Sequence, residues 1–548
     1  MSSTHRSLVR RDTYRDSVEL MRVAAQLEQM AGVERAALLM GTPANRALMD
    51  AAGLLHGDAQ SAGPNDLVVA VTAADEDAAQ AAIAAAEALL ASQGTAAQAS
   101  ASADRPLART VADGVAELPA ANLAIISTPG AYATAEALKA LKRGLHVFLF
   151  SDNVSVADEI ELKRIGRQKR LFVMGPDCGT AIVDGVPLGF ANAVRRGRIG
   201  LVGASGTGLQ QITCLIDVLG EGVSQVIGVG GHDLSEAVGG PMMLMGIEHL
   251  AADPDTSVIV LVSKPPATGV AARVLEAARA SNKPVVVTFL GGDPATIRMA
   301  GAMHAGTLED AARLAVAVAR GRPPASPDNT MSGGNGLEID DGLLEQADGA
   351  RQRLLPTQTT IRGLYSGGTL CQETDLILGA LLDAGDFSAI DLGDDEYTVG
   401  RPHPMIDFRL RNEQIVEAAG DPTTAVILLD IVLGYGSHLD PASAIMPALE
   451  RARSVASESG RPLTIIASVC GTAADPQDMA SQEAALRAAG VILAPSNAQA
   501  ARLAARVLRE PGSQDDDHAL AAGFVGTGAN GPRGARDTSA AHHQEGAR

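Results

Sequence analysis

The stretch Gly203-Ala-Ser-Gly-Thr-Gly208 has the make-up of a turn that carries a strand end into a helix start. Residues without bulky side chains leave backbone N–H groups open there, and the positive end of the helix dipole adds to them, so an anion is the natural ligand. Ser205, Gly206 and Thr207 are therefore candidate binders of a phosphate or carboxylate, the two hydroxyls adding donors of their own. The same residue types also serve a plain strand-to-helix turn in which a Ser or Thr caps the helix. A second stretch of this kind, Ser366-Gly-Gly-Thr369, nominates Ser366, Gly367, Gly368 and Thr369 for a second anionic group. Gly228-Val-Gly-Gly-His-Asp233 follows the next predicted strand, which puts Gly230 and Gly231 at the carboxyl edge where open α/β sheets bind ligands. The later acidic segment Asp391-Leu-Gly-Asp-Asp-Glu-Tyr397 suits a cation or a polar substrate, and equally a solvated loop.

Two further residues have nucleophile chemistry. Cys178 lies in Gly175-Pro-Asp-Cys-Gly-Thr180 with no base nearby in sequence, and a lone cysteine is more often a small buried apolar residue. His304, in Gly301-Ala-Met-His-Ala-Gly306, is the candidate catalytic residue because an imidazole can accept a phosphoryl group. A repeat described below sets Met303 and His304 opposite Ile492 and Leu493, which favours a structural histidine in a last strand. His232, His403 and His438 fall in predicted loops, but their spacing fits no metal template, and no metal is expected.

The elements that must position these residues alternate along the chain. From Ser17 to about Leu90 the order is helix, strand (Arg35 to Met40), helix, strand (Asp66 to Val71), helix. Ala-, Ser- and Gly-rich sequence from Ala91 to Asp104 then reads as a linker. Between Ala120 and Arg322, short β-rich runs such as Leu123-Ala-Ile-Ile-Ser127, Ser257-Val-Ile-Val-Leu-Val262 and Pro284-Val-Val-Val-Thr-Phe289 alternate with helical segments, as in parallel β-α-β units. A second such block runs from Thr360 to about Leu508. The two blocks match in order. Ile199 to Gly208 aligns with Ile361 to Leu370, Asp253 to Val262 with Asp421 to Asp430, and Leu308 to Ala315 with Asn497 to Ala504, the pattern of tandem copies. The expected fold is α/β: tandem doubly wound parallel sheets of Rossmann or flavodoxin type behind a small N-terminal α/β domain. Its parts are residues 1–115 with their linker, 116–197, 198–320, a Pro-, Gly- and Asp-rich linker over 321–356, 357–510, and a disordered tail over 511–548.

Composition narrows the partners. Aromatic residues make up only 2% of the chain and Trp is absent, so several cores must be filled by Ala, Val, Leu and Ile, as helices packed on buried parallel strands are. A formal charge of −20 opposes nucleic acid and anionic membranes, since such binding rests on neutralising phosphates with Lys and Arg. The four cysteines lie far apart without a C-x-x-C pair, and no run approaches the roughly 18 apolar residues of a membrane span, so a cytoplasmic setting is expected.

Gly175-Pro-Asp-Cys178, Ser205-Gly-Thr207, Gly228-Val-Gly-Gly231 and Asp253-Pro-Asp-Thr256, in this order, resemble the succinyl-CoA synthetase α subunit over about Ala120 to Ala315. The second block is similar to the ligase-type domain that ends the β subunit, with Asp430-Ile-Val-Leu-Gly-Tyr-Gly436 in the place of that family's glycine-rich loop. Met40-Gly-Thr-Pro-Ala-Asn45, Phe150-Ser-Asp-Asn153, Ser263-Lys-Pro-Pro266 and Tyr397-Thr-Val-Gly-Arg-Pro-His-Pro-Met-Ile-Asp407 resemble the FdrA branch more closely still, over nearly the whole ordered chain. The resemblance implies a CoA-binding-like domain over 116–197 and two ligase-type domains after it. It implies one subunit of a multi-subunit enzyme, an oxamate carbamoyltransferase of allantoin breakdown that converts oxalurate and phosphate to oxamate and carbamoyl phosphate. Phosphate is then a substrate, and CoA is a ligand only if the older chemistry persists. Two other readings stay open: an acid-CoA ligase working through phospho-His304, and a non-catalytic scaffold. The sequence departs from the synthetases where Ser263-Lys-Pro-Pro266 follows the strand after which they carry a glutamate, and it lacks their N-terminal glycine-rich CoA turn and ATP-grasp domain.

Overall fold

The computed structural model describes residues 4–99, 108–322, 339, 341–398 and 402–509, apart from positions 14, 16, 29 and 52. The N-terminal domain is a three-stranded antiparallel sheet, with Leu67–Ala73 between Thr4–Arg10 and Val33–Met40. Leu20, Val23 and Leu27 of the helix Ser17–Glu28 and Ala79, Ala82 and Ala86 of the helix Glu76–Ala99 bury one face of it. The strand Thr4–Arg10 escapes the sequence reading because it is an edge strand whose polar residues stay partly exposed and leave no apolar run. Helix Glu76–Ala99 carries on through the Ala-rich stretch read as a linker, alanine being the best helix former. The remainder of that linker, and the tail beyond 509, lie outside the described residues.

A small parallel sheet follows, made of Leu123–Ile126, His146–Leu149 and Val173–Met174 and covered by the helices Gly130–Lys142 and Val156–Lys169. Two larger units succeed it. In the first, Arg196–Gly203, Val223–Gly228, Val258–Ser263, Val285–Phe289 and Met303–His304 pair in the order second-first-third-fourth-fifth. In the second, Thr360–Tyr365, Phe387–Asp391, Thr424–Val432, Thr464–Cys470 and Ile492–Ala494 take the same order. All these pairings are parallel, which is the flavodoxin-like doubly wound arrangement built twice. Central strands such as Val258–Ser263 and Thr424–Val432 are buried at every residue, as strands covered on both faces must be.

A hairpin, Thr180–Val183 and Val186–Gly189, extends the first unit's sheet on its outer side. Its turn, Asp184-Gly185, has positive φ at both residues, the two-residue geometry that Asp-Gly favours. The two units share one core. Ile212, Leu215, Leu308 and Ala312 of the first interlock with Leu370, Ile377, Ala501 and Ala504 of the second. The linker expected over 321–356 is shorter than the sequence reading had it. Asp341–Arg353 is a helix, because Leu343, Leu344, Ala347 and Ala350 fall on one face and pack on the shared core. Arg506 fastens it with two hydrogen bonds to Asp348, each 2.9 Å.

Candidate functional site

The two glycine-rich turns identified from sequence meet. Strand Arg196–Gly203 delivers Ser205 to the start of the helix Gly206–Val218, where its Oγ accepts from the Gly208 amide at 3.1 Å. Strand Thr360–Tyr365 delivers Gly367 to the same position before the helix Gly368–Leu381. Ser205 Oγ and Thr369 Oγ1 lie 2.6 Å apart, and a Cβ added at Gly367 would stand 2.8 Å from Thr207 Cγ2. The contact is reciprocal: each unit's threonine touches the other's capping residue. Two helix N-termini therefore converge, with the partly open glycines Gly206 and Gly368 at their first positions. First-turn amides have no partner inside their own helix, so the junction concentrates donors and positive dipole ends.

The two turns are not equivalent in charge. In the second, Ser366 N and Oγ donate to Asp430 at 2.8 and 2.9 Å, and Gly367 N donates at 2.9 Å. Asp430 is fully buried and is neutralised by the equally buried Arg411, whose guanidinium donates to Asp430 Oδ1 at 2.8 Å. Asp391 adds a second carboxylate, its Oδ2 set so close to Gly368 that a Cβ there would collide with it. The reading of Ser366 and Gly367 as phosphate ligands is thereby corrected: their donors already hold an internal carboxylate. In the first unit Val262 stands where Asp430 stands in the second, and the Ala204 amide, aligned with that of Ser366, donates to the Val262 carbonyl at 3.0 Å instead of to a carboxylate. The Ser205-Gly206-Thr207 turn is the helix start without an internal carboxylate among the described residues.

Other residues singled out from sequence lie elsewhere. Gly230 has φ +85, and a side chain at it or at Gly228 would strike the loop of Pro176 to Thr180, so these glycines serve close packing of two loops. Gly231 sits beside Asp177 in the same contact. Asp233 is buried, accepts from Lys163 Nζ and the Met243 amide at 2.9 Å each, and starts the helix Pro241–Ala252; the exposed His232 approaches Glu159 at 3.5 Å. Burial pushes the Cys178 thiol up to about 12, which suits a structural residue. His304 lies in the edge strand Met303–His304, three strands from the strand that leads to Ser205, or about 14 Å at the usual inter-strand spacing. Burial and then Arg298 lower its pKa, with Asp293 opposing. The structure does not bring His304 to the helix junction. His403 is near it, held by the Met405 amide at 3.2 Å, and burial pulls it down to about 4.

Three features escaped sequence reasoning. Lys264, exposed at the end of the strand Val258–Ser263, is close enough to draw down the Asp391 carboxyl. Arg411 gave no local signal, whereas Asp430 was visible as the one charged residue ending an apolar string that ends in Val262 in the first copy. The third is a clasp between the units. Asn192 Nδ2 donates to Asp475 Oδ2 at 2.8 Å and the Ala193 amide to Asp475 Oδ1 at 2.7 Å, while Ala191 bridges Tyr435. The clasp fixes the Asp430-to-Gly436 loop, where Gly434, at φ +107, approaches Ala191 O too closely for a side chain.

Three family models match the chain: the AllF heavy metal-associated domain over residues 1–106, the CoA binding domain over 194–291 and the CoA-ligase domain over 364–507. With the paired doubly wound units, these put the chain in the succinyl-CoA-synthetase-like class. The protein YahF of Escherichia coli (strain K12) is 40% identical over 521 residues, 91% of this chain and 97% of YahF. On that likeness the chain belongs to the FdrA family. A mitochondrial succinate–CoA ligase [ADP-forming] subunit alpha-2 of Trichomonas vaginalis is 28% identical over 31% of this chain and 57% of its own length. The ADP-forming sulfoacetate-CoA ligase subunit SauD of Bilophila wadsworthia is 27% identical over 34% of this chain and 64% of its own. Among solved structures, a dinucleotide-forming acetyl-coenzyme A synthetase of Ca. Korarchaeum cryptofilum matches at TM-score 0.31 and 16% identity, over 71% of this chain and 82% of that one.

The N-terminal match names a metal, but the residues do not fit one. No cysteine falls within 1–106, and the described residues hold no group of three or more His, Cys, Asp or Glu suited to an ion. In the sheet of 123–174, a side chain at Gly130, the first residue of its helix, would collide with the Asp152 and Asn153 carbonyls. No described helix is long and apolar enough to cross a membrane.

Proposed function

We propose that the chain is the acyl-phosphate-handling subunit of an oxamate carbamoyltransferase, which works with partner subunits on oxalurate and phosphate. The observation that carries this reading is the convergence of two helix N-termini, of which only one has its preceding turn amides held by an internal carboxylate among the described residues. A phosphate at Gly206 and Thr207 meets fixed amide donors, the Ser205 hydroxyl and a helix dipole. Its attack on the ureido carbonyl builds negative charge on oxygen, and preorganised N–H donors stabilise such charge without reorganising. The family's CoA-ligase chemistry also passes through an acyl phosphate, so the same turn serves either substrate class.

The first test is carbamoyl phosphate formation from oxalurate and phosphate by this chain with its neighbouring gene products, and by the same mixture without it. Activity that requires the chain supports the reading; an inactive complete mixture refutes it. Phosphate should also raise the melting temperature of the wild type and not of Gly206→Val, whose side chain enters the anion site while Thr180 Oγ1, 3.3 Å from the new Cβ, gives slightly. Equal protection of both would exclude the turn as the phosphate site.

A second reading, an acid-CoA ligase subunit, draws support from the CoA binding and CoA-ligase matches. It requires an acid-labile phosphate on His304 after incubation with acyl-CoA and phosphate, and the remote position of that residue counts against it.

A further inference from the structure

We propose that Asp391 is the proton-transfer residue of this carbamoyl transfer, an inference that rests on the reading above. Asp391 ends the strand Phe387–Asp391 at the carboxyl edge of the second unit. Its Oδ2 lies against Gly368, whose neighbours on either side, Gly367 and Thr369, touch Thr207 and Ser205. Asp391 thus lies on the second unit's side of the helix junction, against the first residue of its helix. The contrast with Asp430 is informative. Asp430 is buried beneath the junction, and both its carboxylate oxygens are committed to the Ser366 and Gly367 donors and to Arg411. Asp391 accepts one amide, that of Gly393 at 2.9 Å on Oδ1, and its Oδ2 has no hydrogen-bond donor among the described residues.

The charged and titratable groups around it come from every element packed there. They are Lys264 from the first unit, Asp430 and Cys371 from the neighbouring strand and helix, Asp394 in its own loop, and His403, whose Nε2 would stand 2.8 Å from a Cβ at Gly393. Burial, with Asp430 and Asp394, holds the Asp391 carboxyl up at about 6, against the Gly393 amide and Lys264. Such a group exists in both protonation states near neutrality, as a proton carrier must.

The step balances. A phosphate oxygen bonds to the ureido carbonyl carbon of oxalurate, and the carbon–nitrogen bond to the oxamate portion breaks with its electron pair on nitrogen. The Asp391 carboxyl protonates that nitrogen and recovers a proton from the hydrogen phosphate. Hydrogen phosphate and oxalurate become carbamoyl phosphate and oxamate with no net change in protons or charge.

The test is Asp391→Asn in the assembled enzyme, since asparagine keeps an acceptor for the Gly393 amide. Loss of a general acid–base group should lower kcat by about 10²-fold or more. KM for phosphate should stay within about twofold, and the limb of the pH profile nearest pH 6 should vanish. Gly368→Ala, which displaces the carboxylate without removing it, should reproduce the fall in kcat. It carries the same test should the asparagine variant lose its phosphate-induced thermal shift. Wild-type kcat and pH profile in both variants, or a rise in KM at unchanged kcat, overturns the role of Asp391 and leaves the carbamoyl transfer standing. A wild-type complex that makes no carbamoyl phosphate overturns both.

Discussion

Glu373→Gln should remove much of the loss of stability that the two-unit core suffers as pH rises from 5 to 8. Glu373 lies in the helix Gly368–Leu381 with 1% of its surface exposed, at the seam of the units. Its Oε1 accepts from the Leu308 amide of the first unit at 2.6 Å and its Oε2 from Asn497 Nδ2 at 2.8 Å. Burial raises its pKa from 4.5 to about 7, the Asn497 and Leu308 hydrogen bonds and Arg502 pulling it down and Glu309 pushing it further up. The sign follows from linkage. A carboxyl whose folded pKa exceeds its unfolded pKa favours the fold most while it is protonated in both states. That stability is full below about 4.5, declines as pH rises, and is lost once pH has passed about 7. The difference between those two pKa values corresponds to about 3 kcal/mol, most of it falling between pH 5 and 8. Glutamine carries no charge to desolvate. Its carbonyl keeps the Leu308 amide, and its NH2 can turn to Asn497 Oδ1, which has no hydrogen-bond partner among the described residues. Denaturant midpoints of both proteins at the two pH values would read the effect. The variant should gain on the wild type by about 2 kcal/mol or more on going to pH 8, and parallel pH dependences would refute the reasoning.

Arg411→Met should cost about 3–5 kcal/mol, because it strands the buried Asp430 charge, and the double variant with Asp430→Val should recover most of that loss; additive effects would contradict the buried-pair reading. The double variant should also bind a second phosphate per chain by calorimetry, now at Ser366 and Gly367, whose donors it frees. Asp475→Ala breaks the clasp to Asn192 and Ala193 and should lower the melting temperature while increasing proteolytic cleavage between the units. Unchanged cleavage would mean that the shared core alone holds them.

Much of this molecule was legible because its strands are continuous apolar runs of one period. Val258-Ile-Val-Leu-Val262 and Val285-Val-Val-Thr-Phe289 have no alternative as buried parallel strands, and their counterparts in the second copy fixed the tandem reading. The pairing of Met303 and His304 with Ile492 and Leu493 likewise matches the two last strands. What stayed hidden depended on neighbours distant in sequence. Strand Thr4–Arg10 gains its place only from pairing with Leu67–Ala73, and the helix Asp341–Arg353 from packing on the shared core. The hairpin at Asp184-Gly185 carried a local signal in its dipeptide, but the use of that hairpin, delivering Ala191 and Asn192 to the second unit, did not. The glycine-rich turn at Ser205 was visible as a motif, whereas its meeting with the second turn required knowing that the two units face each other through their first helices.

That meeting poses an electrostatic problem whose solution indicates where the ligand goes. Each helix N-terminus carries roughly half a positive charge, and two placed in contact repel unless negative charge is supplied. A symmetric pair of units would demand two anions or two internal carboxylates. This chain is asymmetric at a single aligned position, with Val262 in one copy and Asp430 in the other, and Asp430 in turn requires the buried Arg411. The turn amides at one end are thereby occupied permanently, and Asp391 stands beside them. On the proposed function, the other end, at Gly206 and Thr207, receives its negative charge from the bound phosphate. Leaving one end without an internal carboxylate is the arrangement expected when that charge belongs to a substrate.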